Sequence, residues 1–216
     1  MIREFGSEDI LFLLLATRWT ILLTLASALI GGTIALVVAV LRIVPLRPAN
    51  WLAIGYINLV QGTPVLGQLF IFFFGFSVFG WSVGAWTAAV TAFSIYASAY
   101  LAEIWRGGLQ SVPKTQWESS AALGLTYLQR LRYIIVPQAV RINIPPTVGF
   151  IVQLIKNTSL ASVIGFVELS RAGQMLNNAT FAPMSIYLTV AAIYFVICYS
   201  LSNVSQRLER RIHVAR

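Results

Sequence analysis

The sequence predicts an all-α membrane protein of about five transmembrane helices. Its N-terminus is expected outside and its C-terminus in the cytoplasm, with one long cytoplasmic loop between spans three and four. Three observations carry this. Of 216 residues, 58% are hydrophobic and only 10% are charged, against about 45–50% and 25% in soluble domains. The uncharged runs are long enough to cross a bilayer. Arg and Lys concentrate in alternate segments between those runs. Such a composition, with a mean hydropathy of +0.79, excludes an ordinary soluble globule, a disordered chain and a coiled coil. The length suits a single transmembrane domain, 1–216, with no separate soluble unit.

The first span lies between Arg18 and Arg42, where 23 residues from Trp19 to Leu41 carry no charge. At 1.5 Å per residue they reach about 34 Å, enough for a hydrocarbon core of about 30 Å. Glu4, Glu8 and Asp9 give the preceding segment the wrong sign for a cleavable signal, and the apolar run is too long for one. From Pro48 to Ala102 there are 55 uncharged residues, room for two spans. The second is expected to end near Phe74 and to break at Pro64, which cannot donate to the helix ladder. Gly75, Gly80 and Gly84 mark the turn, and the third span runs over about 85–102. A fourth is expected from about Asn143 to Leu160, with Pro145 and Pro146 near its start, and a fifth from about Met184 to Val204.

Charge sets the orientation. The segment up to Arg18 has Arg3 and Arg18 against three acids. The 42–47 loop has Arg42 and Arg47 and no acid, and the 75–84 turn has no charge. The 103–141 loop has Arg106, Lys114, Arg130, Arg132 and Arg141 against Glu103 and Glu118. The 156–171 segment has Lys156 and Arg171 against Glu168, and the tail has Arg207, Arg210, Arg211 and Arg216 against Glu209. The positive excess alternates, so the tail is inside. The net charge of +8 would also suit a nucleic-acid binder. Here, however, the positives are not interleaved with stacking aromatics on a polar face, so the lipid bilayer, and no nucleic acid, is the expected partner.

The loop of about 103–138 is the most informative segment. Gly107-Gly108 and Pro113 are expected to break helix. Residues 117–123 favour helix, Gly124 sits where a helix stops, and helix resumes over 128–135 before Pro137. Two short helices joined at a glycine, lying on the membrane face, are expected.

This segment resembles the binding-protein-dependent ABC transporter permeases. Their hallmark reads Glu-Ala-Ala, three residues, Gly, nine residues, Ile, one residue, Leu-Pro. Here it is Glu118-Ser119-Ser120, three residues, Gly124, nine residues, Ile134, one residue, Val136-Pro137. The spacing is complete, and the substitutions are small for small and apolar for apolar. Ala102-Glu103-Ile104-Trp105-Arg106-Gly107-Gly108, Gly62-Thr63-Pro64 and Lys156-Asn157-Thr158-Ser159-Leu160 look like the polar amino acid uptake branch. Gln61 departs from that branch, which often has Arg before Gly-Thr-Pro, and Thr115 stands where Gly is common before Gln.

The resemblance implies a permease subunit of an ABC importer in a bacterial cytoplasmic membrane. It implies two cytoplasmic ATPase subunits holding ATP and Mg, a second permease subunit (identical or homologous), and an extracytoplasmic substrate-binding protein. Glu118, Ser119, Ser120, Ala121, Gly124 and Pro137 would form the ATPase-coupling set. Small side chains permit close backbone approach, Glu118 can pair with an Arg of the partner or cap its own helix, and Gly124 permits a sharp exit.

Polar residues within spans line a cavity or glue helices together. Candidates for the substrate path are Gln61, Thr63 and Gln68 with Asn58 in the second span, and Asn157, Thr158 and Ser159 with Asn143 and Gln153 in the fourth. The third offers Ser94, Tyr96, Ser98 and Tyr100. Asn58, Gln61 and Gln68 fall at steps of three and seven, so they are expected to share one helical face. Lys156 is placed either as a carboxylate partner or as a snorkelling side chain. Glu168 and Arg171 either pair on a short outer helix or meet a binding protein.

Other chemistries lack their residues. No G-x-x-x-x-G-K-[ST] run exists, and neither Lys114 nor Lys156 follows a glycine, so no catalytic site or cofactor is expected on this chain. Cys198 and His213 are the only residues of their kinds and do not make a metal site or a disulfide. A secondary transporter would need coupling carboxylates deep in a span, and none of the seven acids lies there. A membrane scaffold that moves no solute stays open on the residues alone.

Overall fold

The computed structural model describes residues 4–43 and 46–214. Arg3 and Arg216, and the side chains of Arg211 and His213, lie outside the described residues. The described chain is helical: α1 Ser7–Ile43, α2 Arg47–Gln61, α3 Val65–Phe70, α4 Phe76–Val78, α5 Ala85–Gln110, α6 Lys114–Ala122, α7 Tyr127–Arg130, α8 Val136–Asn157, α9 Leu169–Thr180 and α10 Pro183–Val214. Three stretches are long and apolar enough to cross a membrane: α1, residues 127–164, and 183–210. A fourth is added if the bent pair α2 and α3–α4 counts as one span.

α1 begins well before Trp19. The acids that flank the apolar run stand in its first turn, where the helix dipole favours negative charge. The Asp9 carboxylate accepts from Gly6 N at 3.0 Å, so the helix starts there and Arg18 becomes an interior residue.

The break at Pro64 is sharp. The helices before and after it are bent by 95°, with Pro64 in extended conformation as the cap of α3. The second span then continues past Phe74 through a π turn at Ile71–Gly75 into α4, and reverses over residues 79–84 with Gly80 at φ +81°.

α5 is the central helix. Its Ala, Ser and Thr content lowers its apolarity, and its buried face is built from small residues such as Ala88, Ala89, Ala92, Ser94, Ala97 and Ser98. Small residues let helix backbones approach closely in lipid. Gly31 of α1 uses this: a Cβ there would come within 2.6 Å of the Ser94 carbonyl oxygen and 2.8 Å of Ala97 Cβ.

Two expectations about the loop are corrected. Gly107-Gly108 does not break α5, which runs on to Gln110. Gly108 instead makes room for the Asn143 side chain of α8, which a Cβ would overlap. The Asn143 amide donates to Trp105 O at 3.2 Å. Helix also does not stop at Pro137. From Tyr127 to Ile164 it is continuous, so the second short helix is the N-terminal start of the stretch expected as the fourth span. A π turn over Leu131–Ile135 makes this possible. Val136 N–H reaches back to Leu131 O, and Pro137 follows directly after this shift in the ladder, as the second residue of α8.

Candidate functional site

The hallmark residues sit on α6 and its exit. Pro113 caps α6 in extended conformation, and the helix ends in a full Schellman turn. Gly124 N donates to Ala121 O at 2.9 Å and Leu125 N to Ser120 O at 3.3 Å, while Gly124 holds φ +76°. That left-handed conformation suits glycine because it has no Cβ to clash with the backbone. After the turn, Thr126 and Gln129 form a capping box that starts α7, satisfying two free N–H groups.

α6 rests on a small apolar platform. Val112, Ile135 and Ala139 form its buried centre, with Leu109, Trp117 and Leu131 packed on it. Trp117 also stacks on Tyr127, centroids 6.0 Å apart. Gln138 Nε2 donates to Gln116 Oε1 at 3.3 Å, tying α6 to α8. The loop helix is thus held by the C-terminal end of α5 and the start of α8.

Of the six residues expected to form the coupling set, Glu118, Ser119 and Ala121 are exposed together on α6, and Gly124 shapes its exit. Ser120 faces the other way. It is buried, and its hydroxyl donates to Gln116 O and Trp117 O. Pro137 is exposed in the first turn of α8. The sequence reading missed Leu123 and Leu128, which are 79% and 70% exposed on either side of Gly124. Large apolar side chains left in water beside a structured turn mark a contact surface. Their signal was legible as leucines in an otherwise polar stretch.

Gln61 and Gln68 do not share a face, because the bend at Pro64 parts them. Gln68 is buried. Its amide donates to Val60 O at 2.8 Å, Thr63 O at 3.3 Å and Thr63 Oγ1 at 2.9 Å, closing the carbonyls that the break frees. Asn58, Gln61 and Thr63 are exposed, and Gln61 reaches Ala99 O at 3.5 Å. On the other side, α8 gives way at Thr158 to a 3-10 turn, Thr158–Ile164, that ends at Gly165 with φ +83°. Thr158 is buried and donates to Ile155 O, and Ser159 donates to Lys156 O. Asn157 accepts from Gln153 at 3.2 Å and meets the Tyr96 phenol of α5. Tyr96 packs tilted against Tyr100, centroids 4.6 Å apart, and Tyr100 stacks on Phe150 at 5.6 Å. Leu69 of α3 and Ala161 and Ile164 of the 3-10 turn share one core cluster with Tyr96. α3 also touches the 3-10 turn directly, so the two interrupted helices pack in one region; Asn143 is bonded to Trp105 O, and Ser98, two positions along α5 from Tyr96, meets Tyr56.

Glu168 and Arg171 do not pair through their side chains. Glu168 is fully buried as the cap of α9. It accepts from Arg171 N at 2.8 Å, Ser170 N at 3.0 Å and Tyr194 OH at 2.8 Å. Arg171 donates to Gln174. A carboxylate so enclosed ties α9 to α1 and α10 and is not a surface for a soluble protein.

Residues 31–214 match the family described as binding-protein-dependent transport system inner membrane component. The chain is 40% identical over 195 residues to the L-cystine transport system permease protein TcyB of Bacillus subtilis, covering 90% of this chain and 83% of that one. It is 36% identical over 200 residues to the glutamine transport system permease protein GlnP of Escherichia coli, covering 92% and 90%. The crystal structure of an amino acid ABC transporter with histidines contains a chain that superposes with TM-score 0.89 at 34% identity, covering 93% of this chain and 94% of that one. The MetNI methionine ABC transporter shares the fold, with TM-score 0.81 at 21% identity. With a family match that takes in nearly all of the described helices, this chain belongs to the binding-protein-dependent transport system inner membrane components.

Proposed function

We propose that the chain is the permease subunit of an ABC importer that moves a polar amino acid or a close analogue into the cytoplasm. The observation that carries the coupling half is α6 itself, a short helix with an exposed small-residue face, a glycine-locked exit and a braced base. It offers a docking element to a cytoplasmic ATPase, which would supply the ATP and Mg chemistry this sequence has no motif for. The amino acid half rests on relatives named for cystine and glutamine transport.

In this reading α5 crosses the membrane as well, giving five spans with the N-terminus outside and α6 in the cytoplasm. Two permease subunits, two ATPases and an external binding protein assemble. ATP-driven closure of the ATPases moves α6, and the spans rock between outward- and inward-facing states. Gln61, Thr63, Asn157 and Ser159 line the path, Thr158 and Gln68 hold its walls, and Glu118, Ser119, Ser120, Ala121, Gly124 and Pro137 serve the coupling element.

The deciding experiment is uptake by the assembled transporter in vesicles. Labelled amino acids should enter only with ATP and binding protein present, and a labelled disaccharide or dipeptide should not. Entry of the disaccharide alone would overturn the substrate class, and ATP-independent entry would overturn the coupling.

A further inference from the structure

A polar cleft and an apolar groove meet where α1 ends beside α6. The cleft, about 280 Å³, is lined by Arg42, Arg106, Gln110 and Trp117 among others. The groove, about 520 Å³, runs between α1, α5 and α8 past Leu36, Val40, Val140, Ile144 and Val148. Ile43, Leu109 and Leu131 line both, so the two adjoin. The groove's polar side chains are engaged with each other and with backbone: the Asn143 amide donates to Trp105 O, and Trp105 Nε1 donates to Thr147 Oγ1 at 3.1 Å. What remains toward the opening is hydrocarbon. From Val136 to Val148 the α8 wall is about 18 Å long, slightly more than half of a hydrocarbon core of about 30 Å, the depth of one leaflet.

The charge at the mouth is one-sided. Arg42 and Arg106 share one carboxylate, Glu103, at 3.3 Å and 2.6 Å. Arg42 donates from Nε to Glu103 and from Nη1 to Asn50; among the described residues, none accepts from its Nη2. Two guanidinium groups against one carboxylate leave a positive site with a free donor pair. Guanidinium recognises phosphate oxygens well, and basic pockets between membrane helices suit anionic head groups.

We propose that this site holds an anionic phospholipid of the leaflet on the α6 side, with its phosphate on Arg42 and one acyl chain in the groove. The proposed topology makes that leaflet cytoplasmic. Because Trp117 of α6 lines the same cleft, the bound head group touches the element that docks the ATPase, and lipid occupancy biases its position.

The test is native mass spectrometry of the purified, assembled transporter titrated with phosphatidylglycerol, phosphatidylcholine or glycerol phosphate. Wild type should retain phosphatidylglycerol about tenfold more strongly than either of the others: phosphatidylcholine offers the same phosphate but sets its choline cation against Arg42 and Arg106, and glycerol phosphate has no acyl chain for the groove. Arg42→Ala should abolish that preference. Val140→Trp, at an exposed position on the groove wall, should lower retention of both phospholipids without disturbing the Arg42 cluster. Equal retention of the two phospholipids, glycerol phosphate binding as tightly as phosphatidylglycerol, or no change in either variant would overturn the proposal. So would a quantitative disulfide between permease copies carrying Val140→Cys and Cys198→Ser, which would put a second subunit in the groove. All of these readouts are independent of transport, so a failure here is separable from a failure of the importer reading.

Discussion

Gln68 donates from Nε2 to the carbonyl oxygen of Val60 at 2.8 Å, across the 95° break at Pro64. A helix that breaks within lipid must find donors for its freed carbonyls, because no water is there to supply them. Gln68 supplies two to backbone and reaches Thr63 Oγ1 as well. Replacing it by Met keeps the length and removes the donors. Gln68→Met should destabilise the purified protein by about 1–3 kcal/mol, the cost of stranding buried acceptors, read as a lower thermal midpoint. Gln61→Ala, at an exposed side chain, should leave that midpoint unchanged. Equal midpoints for Gln68→Met and wild type would mean the carbonyls find other donors.

Gly124 is held by conformation and not by space. No atom lies within 4 Å of a Cβ placed there, yet φ is +76°. Gly124→Ala should therefore cost about 1–2 kcal/mol of local strain, while Gly124→Asn, which tolerates the left-handed region better, should cost less. Both should insert normally. In transport-coupled ATPase assays the order of activity should be Gly, then Asn, then Ala. An Ala variant as active as wild type would show that the Schellman exit is dispensable for coupling.

The sequence made some of this legible and hid the rest for physical reasons. Pro64 fixes its own φ and cannot donate to the ladder, and Gly124 stands where a helix exit needs a left-handed residue, so the break and the turn were visible as residues. The hydrophobic runs were visible too, because lipid imposes composition over whole spans. Gly107-Gly108 and Pro137 misled, because their effect depends on tertiary context. Gly108 answers to Asn143, some 35 positions away, and Pro137 is accommodated by a π turn that no local motif announces. Gln68 was read as a possible lining residue because its polarity is legible and its direction is not. Ser120 points inward for a similar reason: alternate positions on a short helix look alike until the platform under Trp117 is known.

Glu103 lies just beyond the apolar part of α5, and Arg106 beside it, then Arg42, holds its carboxyl below the usual carboxylate range against a partial desolvation that acts the other way. A carboxylate with a depressed folded-state pKa stabilises the fold above its unfolded-state value and loses that contribution as pH falls through the folded-state value. Water reaches the cluster, so the contribution is at most about 1 kcal/mol. Glu103→Gln should lower the thermal midpoint at neutral pH, and the gap to wild type should close as the pH is taken below the ordinary carboxylate range. A gap that widens on acidification would contradict the assignment.

Leu123 is 79% exposed at the end of α6, so little of the fold depends on it. Leu123→Asp should change the stability of the isolated subunit by no more than about 0.5 kcal/mol. If the exposed leucine fills a groove on the ATPase, the same change should weaken ATPase association about tenfold or more, as for an apolar anchor at an interface. Co-purification yields and the subunit's own melting curve separate the two effects. Normal association would move the docking surface away from this end of α6.

The path residues yield to a comparison of two substitutions that differ in their structural duties. Gln61 is exposed and makes one long contact, to Ala99 O, whereas Asn157 meets Tyr96 and Gln153 where α8 gives way to the 3-10 turn. A zwitterionic substrate held between subunits would use amides and hydroxyls such as these, with Lys156 at the edge, and one charge-assisted bond lost is worth roughly 1.5–3 kcal/mol. Gln61→Ala and Asn157→Ala should each lower uptake of the labelled amino acid about tenfold at limiting concentration. Gln61→Ala should do so with normal assembly and basal ATP turnover. Asn157→Ala should also lower the thermal midpoint, because it loosens the Tyr96 contact. Unchanged uptake in both variants would take these residues out of the path. A loss in Asn157→Ala that vanishes once correctly assembled protein is counted would leave Asn157 as a brace and Gln61 as the contact.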